Sequence, residues 1–130
     1  MYIKRTLLMR ADEIICLIQP GGQSNEEAIL QLFTEREITY CAKRMNSLGA
    51  RFIIKKCVLD YLIHEKRFGG NDYREIEVAH NELGRPLLRT FGDVRAYLNE
   101  LRITDILISI SHSKNWVTGM VLFCYETSPS

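Results

Sequence analysis

No Cys-x-x-Cys pair occurs anywhere in the 130 residues. The four cysteines, Cys16, Cys41, Cys57 and Cys124, lie far apart, and His64, His80 and His112 are equally scattered. Zinc sites draw their ligands from close, repeated spacings, so none is expected. An excess of one charge is also missing: 17 Lys and Arg face 16 Asp and Glu, for a net charge of +1. No strong field therefore draws the molecule to nucleic acid or to a membrane surface, and neither is expected as a partner. No apolar run approaches the roughly 18 residues that a membrane span needs. The opening MYIKRTLLMRADE is basic, but its apolar stretch before Arg10 is too short for a signal-peptide core.

What remains is an ordinary globular composition, 46% hydrophobic and 25% charged. The length suits one domain over residues 1–130, large enough to bury a core without disulfides. Cys16, Cys57 and Cys124 sit inside apolar runs, as buried reduced thiols do. A reducing, cytoplasmic compartment is the expectation.

The pattern along the chain is mixed. Residues from about Ile3 to Ile18 read as one extended run, which QPGGQS then breaks. Ser24 and Glu27 have capping-box spacing and open a short helix to about Phe33. Thr34 and Glu37 repeat the device, which predicts a second helix from Glu35 to about Ser47, with Gly49 as its stop. Ala50, Ile53, Ile54, Cys57, Val58, Tyr61 and Leu62 then form an apolar helical stripe. Arg51, Lys55, Lys56 and Asp60 lie off that stripe, where solvent is expected. HEKRFGGND reads as a loop, and REIEVAH and RPLLRTF as two strands around a sharp turn. Val94, Tyr97, Leu98 and Leu101 make another helical stripe. Ile106, Ile108 and Ile110 alternate in a strand, SKN turns, and WVTGMVLFCYE returns, with a frayed TSPS tail. The sum is an α+β domain: an antiparallel sheet ending in a hairpin, packed against helices of which one is long.

Four segments, in order, resemble one family. LFTEREITYC, ARFIIKKCVLDYL, REIEVAHNELGRP and ILISISHSKNWVTGMVLF resemble successive motifs of the small bacterial holo-acyl-carrier-protein synthases, a type of 4'-phosphopantetheinyl transferase. The likeness spans roughly residues 32–124, with a weaker echo at the N-terminus. It implies a phosphopantetheinyl transferase-like fold and transfer of phosphopantetheine from coenzyme A to a serine of an acyl carrier protein. It also implies a homotrimer with each site between neighbours, and a magnesium ion held by an aspartate and a glutamate.

Carried over residue by residue, the resemblance makes Asp12, 22 residues before Thr34, the match for the metal-binding aspartate, although RADEII lacks the family's glycine. Arg51, Phe52 and Lys55 match the helix motif, which places Arg51 and Lys55 on the coenzyme side. The metal-binding glutamate should follow, and Lys56 stands there instead; four residues on, the family's lysine is Asp60. An ammonium cannot coordinate magnesium, which wants oxygen ligands. Lys56 is then either a fixed cation in the metal's place, paired with Asp12 and touching phosphate, or half of an exposed Lys56–Asp60 pair. His112 matches the family's site histidine and is the candidate proton acceptor; Ser111 and Ser113 beside it either line the site or serve the turn. Gly84, Arg85 and Pro86 match a turn near the nucleotide, where an arginine can fork onto phosphate. Gly69 and Gly70, with Lys66 and Arg67, stand in for a missing glycine loop. The helix expected to meet an acidic carrier shows Glu26 and Glu27, so either docking falls to other groups such as Lys43, Arg44 and Arg51, or the partner is an unusual one. The leading expectation is a transferase serving one dedicated carrier. The alternatives are a relative that keeps the fold and binds carrier, coenzyme A or another protein without activity, and a pocket turned to other chemistry on a coenzyme A thioester.

Overall fold

The computed structural model describes residues 1–18, 26–41, 44–67 and 72–126. The expectations for QPGGQS, Ser24, Lys43, the Gly69–Gly70 pair and the TSPS tail lie outside those residues.

Strict alternation of exposure runs through β1, Tyr2–Arg10. The expected extended run stops there, because Ala11–Ile18 is a helix, α1. Asp12 and Glu13 fall in its first turn, where carboxylates suit the helix dipole, and Ile14 and Ile18 are buried one turn apart. Both halves of the segment are apolar, so the switch of period was hidden. Helix α2 covers Glu26–Leu32.

The Thr34–Glu37 box closes in both directions. The Glu37 amide donates to Thr34 Oγ1 at 3.3 Å, and the Thr34 amide donates to Glu37 Oε1 at 3.0 Å. It opens α3, which runs only Glu35–Cys41. A separate helix, α4, then runs Met45–His64, straight through the glycine expected to end its predecessor. Gly49 is needed there for a different reason: a Cβ at this position would lie 3.0 Å from Ile14 Cγ2, so α1 and α4 pack at glycine distance.

The stripe Ala50, Ile53, Ile54, Cys57, Val58, Tyr61 and Leu62 is buried throughout. So are Arg51 and Lys55, against expectation. Helix α4 is surrounded rather than laid on a surface: α3 and the 72–75 turn cover the side that a two-sided helix would show to water.

The chain ends in the expected hairpin. Strands β4 (Ile103–His112) and β5 (Trp116–Tyr125) pair antiparallel, and β1 pairs with the other edge of β5, giving the order β1-β5-β4. Strands β2 (Ile76–His80) and β3 (Pro86–Thr90) form a separate two-stranded sheet. Helix α5, Gly92–Glu100, buries Val94 and Leu98. Helix α4 crosses the inner face of the larger sheet. One core lies on its C-terminal half, among Tyr61, Leu62, Val78, Val121 and Phe123, and a second around its N-terminal half, among Ile14, Phe33, Leu48 and Val117. Each fully buried aliphatic side chain in these cores contributes on the order of 1.5–3 kcal/mol. None of the described helices is long and apolar enough to cross a membrane.

Candidate active site

The structure gathers most of the candidate residues into two groups and takes one of them out of reach. The first group forms where β1 hands over to α1. The Ala11 amide donates to the carbonyl of Asn115 at 2.8 Å, tying this joint to the β4–β5 turn. A cleft of about 400 Å³ opens there, lined by Ala11, His112, Ser113, Lys114 and Val117. A second cleft of about 400 Å³ lies along Met9, Asp12, Glu13, Cys16 and Leu17. The two share the first turn of α1. His112 and Asp12, a hundred residues apart in the chain, thus serve the same corner of the molecule. His112 ends β4 and is exposed. Ser113 donates its amide to the Trp116 carbonyl at 2.9 Å and so serves the turn, while Ser111 stands exposed on β4 opposite Thr118.

Asp12 is held by its own neighbours. Oδ1 accepts from the Glu13 amide at 2.9 Å, and Oδ2 accepts from Arg10 Nη2 at 3.3 Å. Lys56 does not answer it. Its ammonium donates to Asp60 Oδ1 at 3.4 Å, one helical turn along α4, with about a third of the side chain exposed. That pair contributes less than about 0.5 kcal/mol, so the ammonium is cheaply released. Of the two arrangements expected for Lys56, the exposed pair with Asp60 is the one found, and Asp12 pairs with Arg10 instead.

The second group lies at the turn end of β2–β3. Asn81 builds the turn: its Oδ1 accepts from the Leu83 and Arg85 amides, each at 2.9 Å. Gly84 takes φ +79°, which favours glycine. Arg85 is exposed, and Pro86 opposes His80 across the hairpin. His80 meets Arg51, whose Nη2 lies 3.4 Å from His80 Nδ1, and the Tyr40 ring stacks on His80 at 4.4 Å and under the Arg51 guanidinium at 4.9 Å. Burial, and then the Arg51 charge, push the His80 imidazole below its ordinary value, so a neutral ring accepts from Arg51. Arg51 is 5% exposed, and its buried Nε has no partner. Its Nη1 donates to the Ser47 carbonyl at 3.1 Å, so this buried guanidinium is neither the coenzyme-side group nor the docking group that the sequence suggested.

Lys55 leaves the site altogether. Its ammonium is fully buried and donates to Glu37 Oε1 at 2.5 Å, to the Leu32 carbonyl at 2.7 Å and to the Tyr73 carbonyl at 2.9 Å. All three protons are used, so none remains for a coenzyme. Burial pushes its pKa below the ordinary value, with Glu37 opposing the shift. Glu37 also accepts from the Val78 amide at 3.1 Å, and Thr34 Oγ1 donates to Glu77 Oε1 at 2.8 Å. Sequence reasoning gave Thr34 and Glu37 a capping role and a place in the LFTEREITYC motif, and assigned no role to Glu77, Tyr40 or His80. No local spacing signals them, because each meets its partner from a distant element.

A further groove of about 360 Å³, lined by Leu88, Arg89, Phe91, Arg95, Ile103 and Asp105 among others, sits at the far end of β4 from His112 and holds none of the candidates.

No protein-family model matches the chain. Individual proteins do. It is 33% identical over 97 residues to the holo-[acyl-carrier-protein] synthase of Dehalococcoides mccartyi strain CBDB1, covering 75% of this chain and 79% of that one. It is 32% identical over 113 residues to the protein of that name from Leptospira biflexa, covering 85% and 86%. In three dimensions it resembles a Chronobacterium ammoniagenes synthase–coenzyme A complex, with TM-score 0.76, 22% identity, and 98% and 99% of the two chains covered. It also resembles the Neisseria meningitidis holo-[acyl-carrier-protein] synthase, with TM-score 0.75, 22% identity, and 92% and 95% covered. The structural likenesses establish the fold.

Proposed function

The chain belongs to the holo-[acyl-carrier-protein] synthase family, and from that premise we propose that it transfers 4'-phosphopantetheine from coenzyme A to a serine of an acyl carrier protein. The observation that carries this reading is one-third identity over three-quarters or more of proteins bearing that name. The two clefts at the start of α1, one lined by His112 and the other by Asp12, support it.

The step is a phosphoryl-group displacement. The serine Oγ attacks the phosphorus next to pantetheine. A new Oγ–P bond forms, the P–O bond to the nucleotide breaks, and 3',5'-ADP leaves with that electron pair. The serine proton goes to the His112 imidazole when that ring is neutral. Such reactions run on positioning and charge neutralisation more than on covalent help from the protein. Arg85 stands exposed at the hairpin end and is suited to the nucleotide phosphates, whereas the Arg51 guanidinium is buried against Ser47 and His80.

A magnesium ion implied by the family does not fit these residues. Lys56 offers an ammonium where a carboxylate is needed, and the Asp12 carboxylate already faces Arg10. The same substitution favours a second reading, a relative that binds coenzyme A or carrier without transferring. A homotrimer suits the uncovered face of the β1-β5-β4 sheet, where Tyr2, Leu8, Leu107 and Trp116 stay exposed. Four free thiols suit a reducing, cytoplasmic setting.

The test is mass spectrometry of several apo carrier proteins incubated with coenzyme A and this protein. A carrier heavier by one phosphopantetheine is expected. Carriers left unmodified with magnesium and without it would overturn transfer. Activity gained in Lys56→Glu alone would favour the binding-only reading of the native chain.

A further inference from the structure

At both positions where the family would place a metal ligand, this structure already holds a side-chain cation. Arg10 lies 3.3 Å from Asp12, and Lys56 stands at the second position with Asp60 at 3.4 Å. Of the two positions, one offers a carboxylate shared with a guanidinium and the other an ammonium in place of a carboxylate. A cation repels a divalent ion, and neither side-chain cation carries an oxygen to offer. A pyrophosphate needs the reverse: donors and positive charge, which an ammonium supplies as a compact point charge with three N–H groups. Lys56 is equipped for that. A third of its side chain is exposed, its one partner is distant for a charged hydrogen bond, and its stem is flexible. Its neighbour Lys55 is the contrast, fully buried with every proton committed.

We propose that this chain holds the pyrophosphate of coenzyme A without a divalent cation, with the Lys56 ammonium supplying the positive charge. The inference rests on the reading under Proposed function that coenzyme A is the donor. Lys56 swings from Asp60 to the phosphates on binding, and Asp60 competes with the ligand for it. Asp60 is thus a positioning residue that moderates affinity.

Isothermal titration of the full chain with coenzyme A, in EDTA and then in magnesium chloride, tests this. Affinity should agree within about twofold between the two buffers. Lys56→Gln should weaken binding about tenfold in both, the loss expected for one charge-assisted contact, and Lys56→Arg should retain it. Asp60→Asn should bind more tightly than the native chain, an outcome that a merely structural Lys56–Asp60 pair would not give. Lys56→Glu should make binding depend on magnesium. Water-proton relaxation with Mn²⁺ as the probe should show no uptake that Asp12→Asn removes. Native binding that requires magnesium, or Lys56→Gln binding like the native chain, overturns the inference while leaving coenzyme A as the donor. Failure to bind coenzyme A in either buffer overturns both.

Discussion

Replacing Lys55 by Met keeps the length of the side chain and removes the charge from the interior. Three acceptors lose their donor: Glu37 Oε1 and the carbonyls of Leu32 and Tyr73. The contact of the ammonium with the Phe33 ring, 5.0 Å to its centre, goes too. Glu37 keeps the amides of Thr34 and Val78 but remains a buried carboxylate without a countercharge. Breaking a buried pair by deleting one partner costs about 3–5 kcal/mol, and the two stranded carbonyls push toward the upper end. Against a total stability of about 5–15 kcal/mol this is a large share. Urea unfolding followed by far-ultraviolet circular dichroism should show the midpoint falling by about 2 M, given slopes of about 1–3 kcal/mol per molar. The protomer concentration must be fixed, since any assembly would add to apparent stability. The double variant Lys55→Met with Glu37→Gln removes the orphaned charge while keeping an acceptor oxygen. It should recover about 1–2 kcal/mol relative to the single variant. A single variant that loses under about 1 kcal/mol, or a double variant less stable than the single, refutes the claim that this pair fastens α3 and the 72–75 turn to α4.

Three further outcomes follow from the same geometry. In Gly119→Ala the new Cβ would lie 2.3 Å from Ile53 Cγ2 and 3.2 Å from Ile54 Cδ1; overpacking of about 1–3 kcal/mol should lower Tm by about 5 °C or more, and a drop under about 2 °C would contradict the close α4–β5 approach. Burial pushes the Cys57 thiol from 9.0 up to about 11, with Asp60 adding and Lys56 opposing. The folded chain holds that proton more tightly than the unfolded one. Its contribution is therefore present below pH 9 and fades as pH rises through about 11, so the native chain should lose about 2–3 kcal/mol more than Cys57→Ala across that window. Equal slopes for the two would refute it. For His80 the sign is the opposite: its folded value lies below 6.5, so stability should fall as pH drops beneath 6.5, and an NMR titration midpoint above 6.5 would contradict the buried contact with Arg51.

The readable parts of the fold were those whose signal is local. Ile106, Ile108 and Ile110 alternate because β4 has one covered face, and the Thr34–Glu37 box specifies a helix start within four residues. Gly49 misled because a glycine that ends a helix and one that lets two helices touch look the same along the chain; only Ile14, 35 residues away, tells them apart. Arg51 and Lys55 misled for a related reason. Charges off an apolar stripe belong in water unless partners reach them from elsewhere. Glu37 comes from α3, Tyr73 from the turn after α4, and His80 from β2, so nothing near Lys55 in sequence announces its burial.

The corner holding Asp12 and His112 was legible only through resemblance, since the hydrogen bond that makes it joins residues more than a hundred positions apart. The charge order at 56 and 60 is another matter, and it bears on ligand rather than on fold. An i,i+4 pair attracts by a few tenths of a kcal/mol in either order, and an acid placed before a base is slightly the better arrangement in a helix. This chain has the base first. Helix energetics therefore give no reason to prefer lysine at 56 and aspartate at 60. Packing gives none either, because both side chains reach solvent while the apolar stripe beneath them is complete without them. The sign at position 56 is left to be set by what binds there, and a pyrophosphate and a divalent cation ask for opposite signs.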